Sequence, residues 1–376
     1  MGLTITSGVV LGSGLTFSSP GAATSGGLWA WGRGDQGQLG IGVNVVASSP
    51  VQVGALTTWS TVSGAWAGGS AISTNGTLWA WGNNADGALG INTTAVARAS
   101  SPVQVGALTN WLRISSRYNF SIAVKTDGTL WAWGKNTQGQ LGAAAGTNRS
   151  SPVQVGALTD WLQIATAQYT SLAIKTNGTL WTWGDNNNGE RGNGNRTQVD
   201  SPVQVGAGTT WSKVESFANS CFAIKTDGTL WAWGLNSSGQ LGLNDVVARS
   251  SPVQVGAGTN WSEVASGNDH TLAVKTDGTL WAWGGNANGQ LGQNNAILRS
   301  SPVQVGAGTN WSKVTGGVWF SLALKTDGTL WSFGLNSLGQ LAQGDSINRS
   351  SPVQVGAATN WISINRWNNG CFAIRS

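Results

Sequence analysis

Histidine is almost absent from this chain of 376 residues, where His270 stands alone. That excludes a zinc site built on two imidazoles. Cysteine is nearly as scarce. Cys221 and Cys371 are the full complement, and two cysteines do not make a disulfide framework. Charged residues reach only 9%. No apolar run approaches the roughly 20 residues that span a bilayer, so membrane insertion is not expected. The first 27 residues carry no Lys or Arg and read poorly as a signal peptide. The formal net charge of +5 invites a nucleic-acid reading, but its distribution does not support one. Lys125, Lys175, Lys225, Lys275 and Lys325 share one repeat position, and Arg149, Arg249, Arg299 and Arg349 share another. Charges set by a repeat form rings rather than a patch.

What the chain has instead is glycine (56), tryptophan (23) and a period. The stretch Lys275-Thr276-Asp277-Gly278-Thr279-Leu280-Trp281-Ala282-Trp283-Gly284 recurs in seven versions. Their first tryptophans are Trp29, Trp79, Trp131, Trp181, Trp231, Trp281 and Trp331, spaced by 50 residues with one step of 52. A fixed period of this size marks a solenoid, an array or a propeller.

Each period reads as four short strands, A to D. Strand A starts at a third repeated tryptophan, as in Trp311-Ser312-Lys313-Val314. Strand B is Ser321–Lys325, and strand C is Thr329–Phe333. They meet at Asp327-Gly328, a hairpin signal because Gly accepts the positive φ of the turn. Strand D is expected to open with Pro in every copy, from Pro50 to Pro352, and so to form the outer edge. Four antiparallel strands, seven times, predict an all-β, seven-bladed β-propeller. The repeat enters at strand C and stops after strand B. The N- and C-terminal half-blades are therefore expected to pair and close the ring, leaving no open edge. The expected blades are 361–376 with 26–57, then 58–107, 108–157, 158–207, 208–257, 258–307 and 308–357. Residues 1–25 are expected to form an extended N-terminal anchoring arm. Cys221 and Cys371 would then sit in non-adjacent blades, beyond the ~7 Å between Cα atoms that a bridge tolerates.

At Trp281-Ala282-Trp283-Gly284-Gly285-Asn286-Ala287-Asn288-Gly289-Gln290-Leu291-Gly292 the pattern W-G-x-N-x-x-G-Q-L-G resembles the regulator-of-chromosome-condensation repeat, a seven-bladed propeller family. Gly267-Asn268-Asp269-His270-Thr271 is similar to the family's G-x-x-H-T element. The resemblance covers residues 26–376 and implies the fold. It does not choose a function, since family members include exchange factors, chromatin binders and a β-lactamase inhibitor. The chain departs from the pattern at the histidine: the other six repeats carry Gly68, Phe120, Thr170, Ser220, Phe320 and Gly370 there. A shorter resemblance, of Ile5 to Gly14 to the N-terminal arms of tailed-phage structural proteins, suggests a virion component.

The copies diverge in two windows, one joining strands A and B, the other joining C and D. In an up-and-down blade both windows emerge on one face, and the near-invariant turns on the other. Loops held by a rigid scaffold commonly carry function. The expected binding residues are Trp66, Arg117, Tyr118, Phe120, Tyr169, Phe217, Asn268, Asp269, His270, Trp319, Phe320 and Trp367, with the aromatics as exposed anchors. Asp269 beside His270 is not a triad, because neighbouring strand residues point apart. No catalytic residue, metal or cofactor is expected. The sequence thus predicts a non-enzymatic binding protein of a phage virion, attaching through the variable face to a protein or surface glycan receptor and to other virion proteins through residues 1–25. A soluble inhibitor or exchange-factor-like module, cytoplasmic or secreted, is the alternative.

Overall fold

The computed structural model describes residues 25–143 and 146–376. The expected anchoring arm, all but its last residue, lies outside them. Seven four-stranded antiparallel sheets form the ring, and six are sequential hairpins of the kind Trp261–Ser266, His270–Lys275, Leu280–Gly284 and Arg299–Gln304. The seventh is composite. Gly27–Gly32 and Ala47–Gln52, from the N-terminal side, join Gly370–Arg375 and Trp361–Trp367, from the C-terminal side. Gly27 pairs with Arg375 and Gly32 with Gly370, an unbroken antiparallel register that closes the ring.

Each sheet has a tryptophan face and an aliphatic face, and each tryptophan face packs on the aliphatic face of the preceding blade. Trp261, Val264, Ala273 and Trp283 thus meet Phe222, Ile224, Leu230 and Ala232. Trp261 lies edge-on to Trp281 and Trp283, both at 6.0 Å between centroids. The two strand-C tryptophans differ in depth. Trp283 is wholly buried, whereas Trp281 is partly exposed, with Lys275 Nζ 4.0 Å from its ring. The repeated lysines therefore cap tryptophans, a cation–π use of the charge ring, and Arg375 does the same over Trp29 in the closing blade.

The family motif has a mechanical reading. The indole of Trp283 donates to the carbonyl of Gln240 in the preceding blade at 2.8 Å, and Trp31 donates to Gln340 across the closure at 3.0 Å. The buried Asn236 side chain accepts from Leu241 N and donates to the carbonyls of Asp245 and Val247, pinning the C–D loop. Strand D differs from expectation in its start. It begins three residues before the proline, as in Arg299–Gln304, with a register irregularity opposite Ala282 and Gly284. Proline is tolerated inside it because D pairs only with C, so the missing N–H faces outward. Cys221 and Cys371 are buried, free thiols.

Candidate binding face and its pocket

The A–B windows are tight turns, and position within the turn decides where a side chain goes. In the three longest pairings the residues flanking the two-residue tip oppose each other: Arg117 and Phe120, Phe217 and Ser220, Trp367 and Gly370. Cross-strand partners share one side of the sheet, so their sizes are coupled. Phe217 faces Ser220, and Trp367 faces Gly370, while the order reverses in Gly267 with His270 and in Gly317 with Phe320. A Cβ on Gly317 would stand 1.9 Å from Phe320 Cε1, and one on Gly370 would stand 2.2 Å from Trp367 Cζ2. In these four turns one bulky group fills one space, whereas the Arg117–Phe120 pair carries two and the Ala65–Gly68 pair none.

This corrects half of the expected aromatic anchors. Phe120, Phe217, Phe320 and Trp367 are at most 1% exposed and pack within the ring. His270 is also wholly buried, with Nε2 3.0 Å from Ser321 Oγ of the next blade. Arg117 is 5% exposed and turns to the ring axis. The reason is geometric: these residues flank the tips, where the pairing turns side chains inward. Asn268 is exposed at a tip, and Asp269 beside it is half-buried.

The tips present the remaining aromatics. Trp66 is 46% exposed and Trp319 41%. Trp66 packs on Tyr118 at 4.6 Å, and Tyr118 on Tyr169 at 5.1 Å, an arc across three blades. Gln168 Nε2 donates to the Tyr118 hydroxyl at 2.8 Å, and Lys135 Nζ lies 5.3 Å from the Tyr169 ring. Burial and the neighbouring Tyr169 push the Tyr118 hydroxyl pKa up.

Trp66 and Trp319 also form two walls of a pocket of about 210 Å³ over the closing blade. Its floor is Trp367, Asn368 and Asn369, and its outer wall is Arg33, Gln36 and Gln38. Four elements from three adjacent blades build it, two of them brought together only by ring closure. Three of its polar side chains, Arg33, Gln38 and Asn368, are held by hydrogen bonds. Arg33 grips Asp35 through Nε and Nη2, at 2.8 and 2.7 Å. Gln38 Nε2 adds a bond to Asp35 Oδ1 at 3.0 Å. Arg33 and Gln38 hold the Asp35 carboxyl down at about 2. From beneath, Arg117 Nη2 donates to Asn368 Oδ1 at 3.0 Å. Two flat indoles over a bed of amides suit an amphipathic group with an apolar face and hydroxyl or amide edges. Arg33, Gln36, Gln38, Asn368 and Asn369 were not anticipated from the sequence. The sequence does set this copy of the loop apart: Gly34 replaces the Asn that the other six copies carry, and Arg33 is the only Arg at its repeat position.

The family match follows the same architecture. The model of the RCC1-like domain matches residues 27–367. The chain belongs to that family. Among solved structures, human WBSCR16 superposes with a TM-score of 0.85 at 19% identity, covering 94% of this chain and 99% of that one. Prp20p from Saccharomyces cerevisiae, described with its binding properties to Gsp1p and histones, gives 0.82 at 19% identity, covering 94% and 92%. Yeast RCC1 (Prp20) in its complex with Kap60 gives 0.85 at 19% identity, covering 94% and 90%. At these identities the likeness concerns the fold. A search of curated protein sequences finds no significant match.

Proposed function

We propose that this RCC1-like propeller is a non-enzymatic binding module that grips its partner with the A–B and C–D loop face. The observation that carries this is the pocket between Trp66 and Trp319, which has two indole walls, a polar outer wall and an amide-lined floor. The arc Trp66–Tyr118–Tyr169 continues the contact surface beside it. The partner groups it suits are an aromatic or aliphatic side chain of a protein, or the apolar face of a sugar in a surface glycan. Protein partners named for the yeast structural relatives support the coarser reading of a protein-binding propeller. We further propose a virion setting, with attachment to a host or partner surface; this rests on the phage-like stretch of residues 5–14 alone.

The test is a screen of the full chain against a glycan array and a displayed peptide library, followed by variants on the best binder. Trp66→Ala and Trp319→Ala should each weaken binding about 30-fold, the equivalent of ~2 kcal/mol. Full retention of affinity in both, or cross-linking of the selected binder to the Asp-Gly turns of the opposite face, would sink the proposal.

A further inference from the structure

The seven A strands surround the axis of the ring, and their charges are not balanced. Arg113, Arg117, Lys213, Lys313 and Arg366 face two carboxylates, Glu215 and Glu263. Part of this is locally satisfied. Lys213 Nζ bonds Glu263 Oε1 at 2.5 Å, and Lys313 Nζ bonds the Ile362 carbonyl at 2.7 Å.

At the A–B end the arrangement is different. Two guanidinium groups lie against Phe217, with Arg117 Cζ 3.2 Å and Arg366 Cζ 4.8 Å from its ring centroid. Arg366 donates from Nη2 to Glu215 Oε1 at 2.9 Å and to the Ser266 carbonyl at 3.0 Å, and from Nε to the Gly316 carbonyl at 2.8 Å. Among the described residues Arg117 forms no ion pair, and Glu215, which lies near enough to act on it electrostatically, is hydrogen-bonded to Arg366 instead. Among the described residues its side chain bonds the neutral Asn368 alone, and its Nε is buried without an acceptor. Guanidinium does not deprotonate in proteins, so two positive charges are held here against one negative charge.

Below the stack lies a cavity of about 140 Å³, roughly ten times the ~10–15 Å³ that one water molecule requires. Arg117, Arg366 and Glu215 line it, together with Ser115, Thr166 and Ser216. Ser216 is 4% exposed, and its hydroxyl also has no partner among the described residues. A buried charge without a counter-charge is costly, and a buried hydroxyl without a partner adds to the cost. One ligand class removes both costs: a compact anion with several acceptor oxygens, which accepts charge-assisted hydrogen bonds from guanidinium and neutral ones from serine.

We propose that the axial cavity binds one small free oxyanion of the phosphate or sulfate class, held by Arg117 and Arg366 with Ser216 as an added donor. The anion neutralises the excess charge and ties the blade of residues 108–157 to that of 208–257 and to the closing blade. The site lies beneath the loop face, and it reaches that face through Arg117 and Asn368.

The experiment is calorimetric titration of the full chain with sodium phosphate, sodium sulfate and sodium acetate at one fixed ionic strength. Saturable binding of phosphate or sulfate with one site per chain is expected, with acetate weaker. Arg117→Gln should weaken it by at least about tenfold and Ser216→Ala by a few-fold, the loss of one charged and one neutral donor. Glu215→Gln removes the competing carboxylate and should tighten binding, a gain that an unfolded variant cannot produce. Trp319→Ala should leave the titration unchanged, so this result is separable from that of the loop-face assay. Three outcomes would overturn the site: no saturable phosphate or sulfate uptake in the parent chain, unchanged affinity in Arg117→Gln, or weaker binding in Glu215→Gln. Diffraction from selenate-soaked crystals should place an anomalous peak in the cavity, and a peak solely elsewhere also rejects it.

Discussion

The two faces of the ring are built from the same kind of hairpin and follow opposite rules. On the B–C side every turn repeats one solution. Thr279 donates to Asp277 Oδ1 from N and Oγ1, at 3.0 and 2.7 Å, and Trp281 Nε1 donates to Thr279 Oγ1 at 2.8 Å. Thr129 and Trp131 do the same with Asp127, and Thr179 and Trp181 with Asn177. Gly278 belongs there because its φ is +76° and a Cβ would stand 2.0 Å from the Thr309 carbonyl of the linker into the next blade. On the A–B side no two turns agree, yet in four of them, Phe217–Ser220, Gly267–His270, Gly317–Phe320 and Trp367–Gly370, the inward residues are complementary in size. A constant turn is fixed by its own hydrogen bonds. A variable turn is free only at its tip, because its flanks must together fill one space. Variation along the sequence is therefore two phenomena, packing exchange at the flanks and surface choice at the tips.

The largest break in this comparison is at the closure, where both kinds of turn depend on the composite blade. Deleting residues 361–376 removes its A and B strands and uncovers Trp31, Leu28 and the edge of Gly27–Gly32. We expect loss of the cooperative thermal transition and aggregation, read by calorimetry and light scattering; a monomer with an unchanged Tm would refute closure as the source of stability. Next, Trp283→Ala removes a wholly buried indole and its bond to Gln240, and should cost ~3–5 kcal/mol in denaturant unfolding. Trp281→Ala, partly exposed and capped by Lys275, should cost clearly less. Equal losses would show that depth within strand C does not set the energy.

Packing exchange has its own test. Gly317→Ala should cost ~1–3 kcal/mol, because its Cβ meets the Phe320 ring. In a Phe320→Ala background the same change should cost almost nothing. Additive losses in that double-mutant cycle would mean the two flanks are independent. At the tips, Trp319→Ala should shift stability by no more than ~0.5 kcal/mol while weakening partner binding. A fall in Tm like that of Trp283→Ala would return Trp319 to the core. The smallest effect concerns acid. Asp35 has a folded pKa of about 2, below its unfolded value of ~3.9, so its pairing with Arg33 contributes above the unfolded value and is lost as pH falls through the folded one. A carboxyl titration by NMR should find Asp35 ionised at pH 3 and protonating near 2. Protonation near pH 4 would show that the pocket wall is not held by Arg33.

The sequence by itself determined the period, four strands per unit, seven blades and the composite closure. Each of these is a local regularity, and the chain repeats it seven times. It also determined which windows share a face, because alternation of up and down strands leaves no choice. It did not determine which window residues point outward. Eight aromatics in the windows looked alike as a composition, but Phe320 and Trp319 are neighbours with opposite fates. The signal was present in the reciprocal pairs Gly317 with Phe320 and Trp367 with Gly370. Reading it required knowing that the tip is two residues long, so that those positions face each other. The pocket and the axial cavity were decided by tertiary structure alone. Arg33 and Trp319 are separated by nearly the whole chain and meet only because the ring closes, and Arg117, Phe217 and Arg366 meet only at its axis. Side chains from separate blades converge there because a radial fold brings equivalent positions to one centre, and no period along a sequence carries that third dimension.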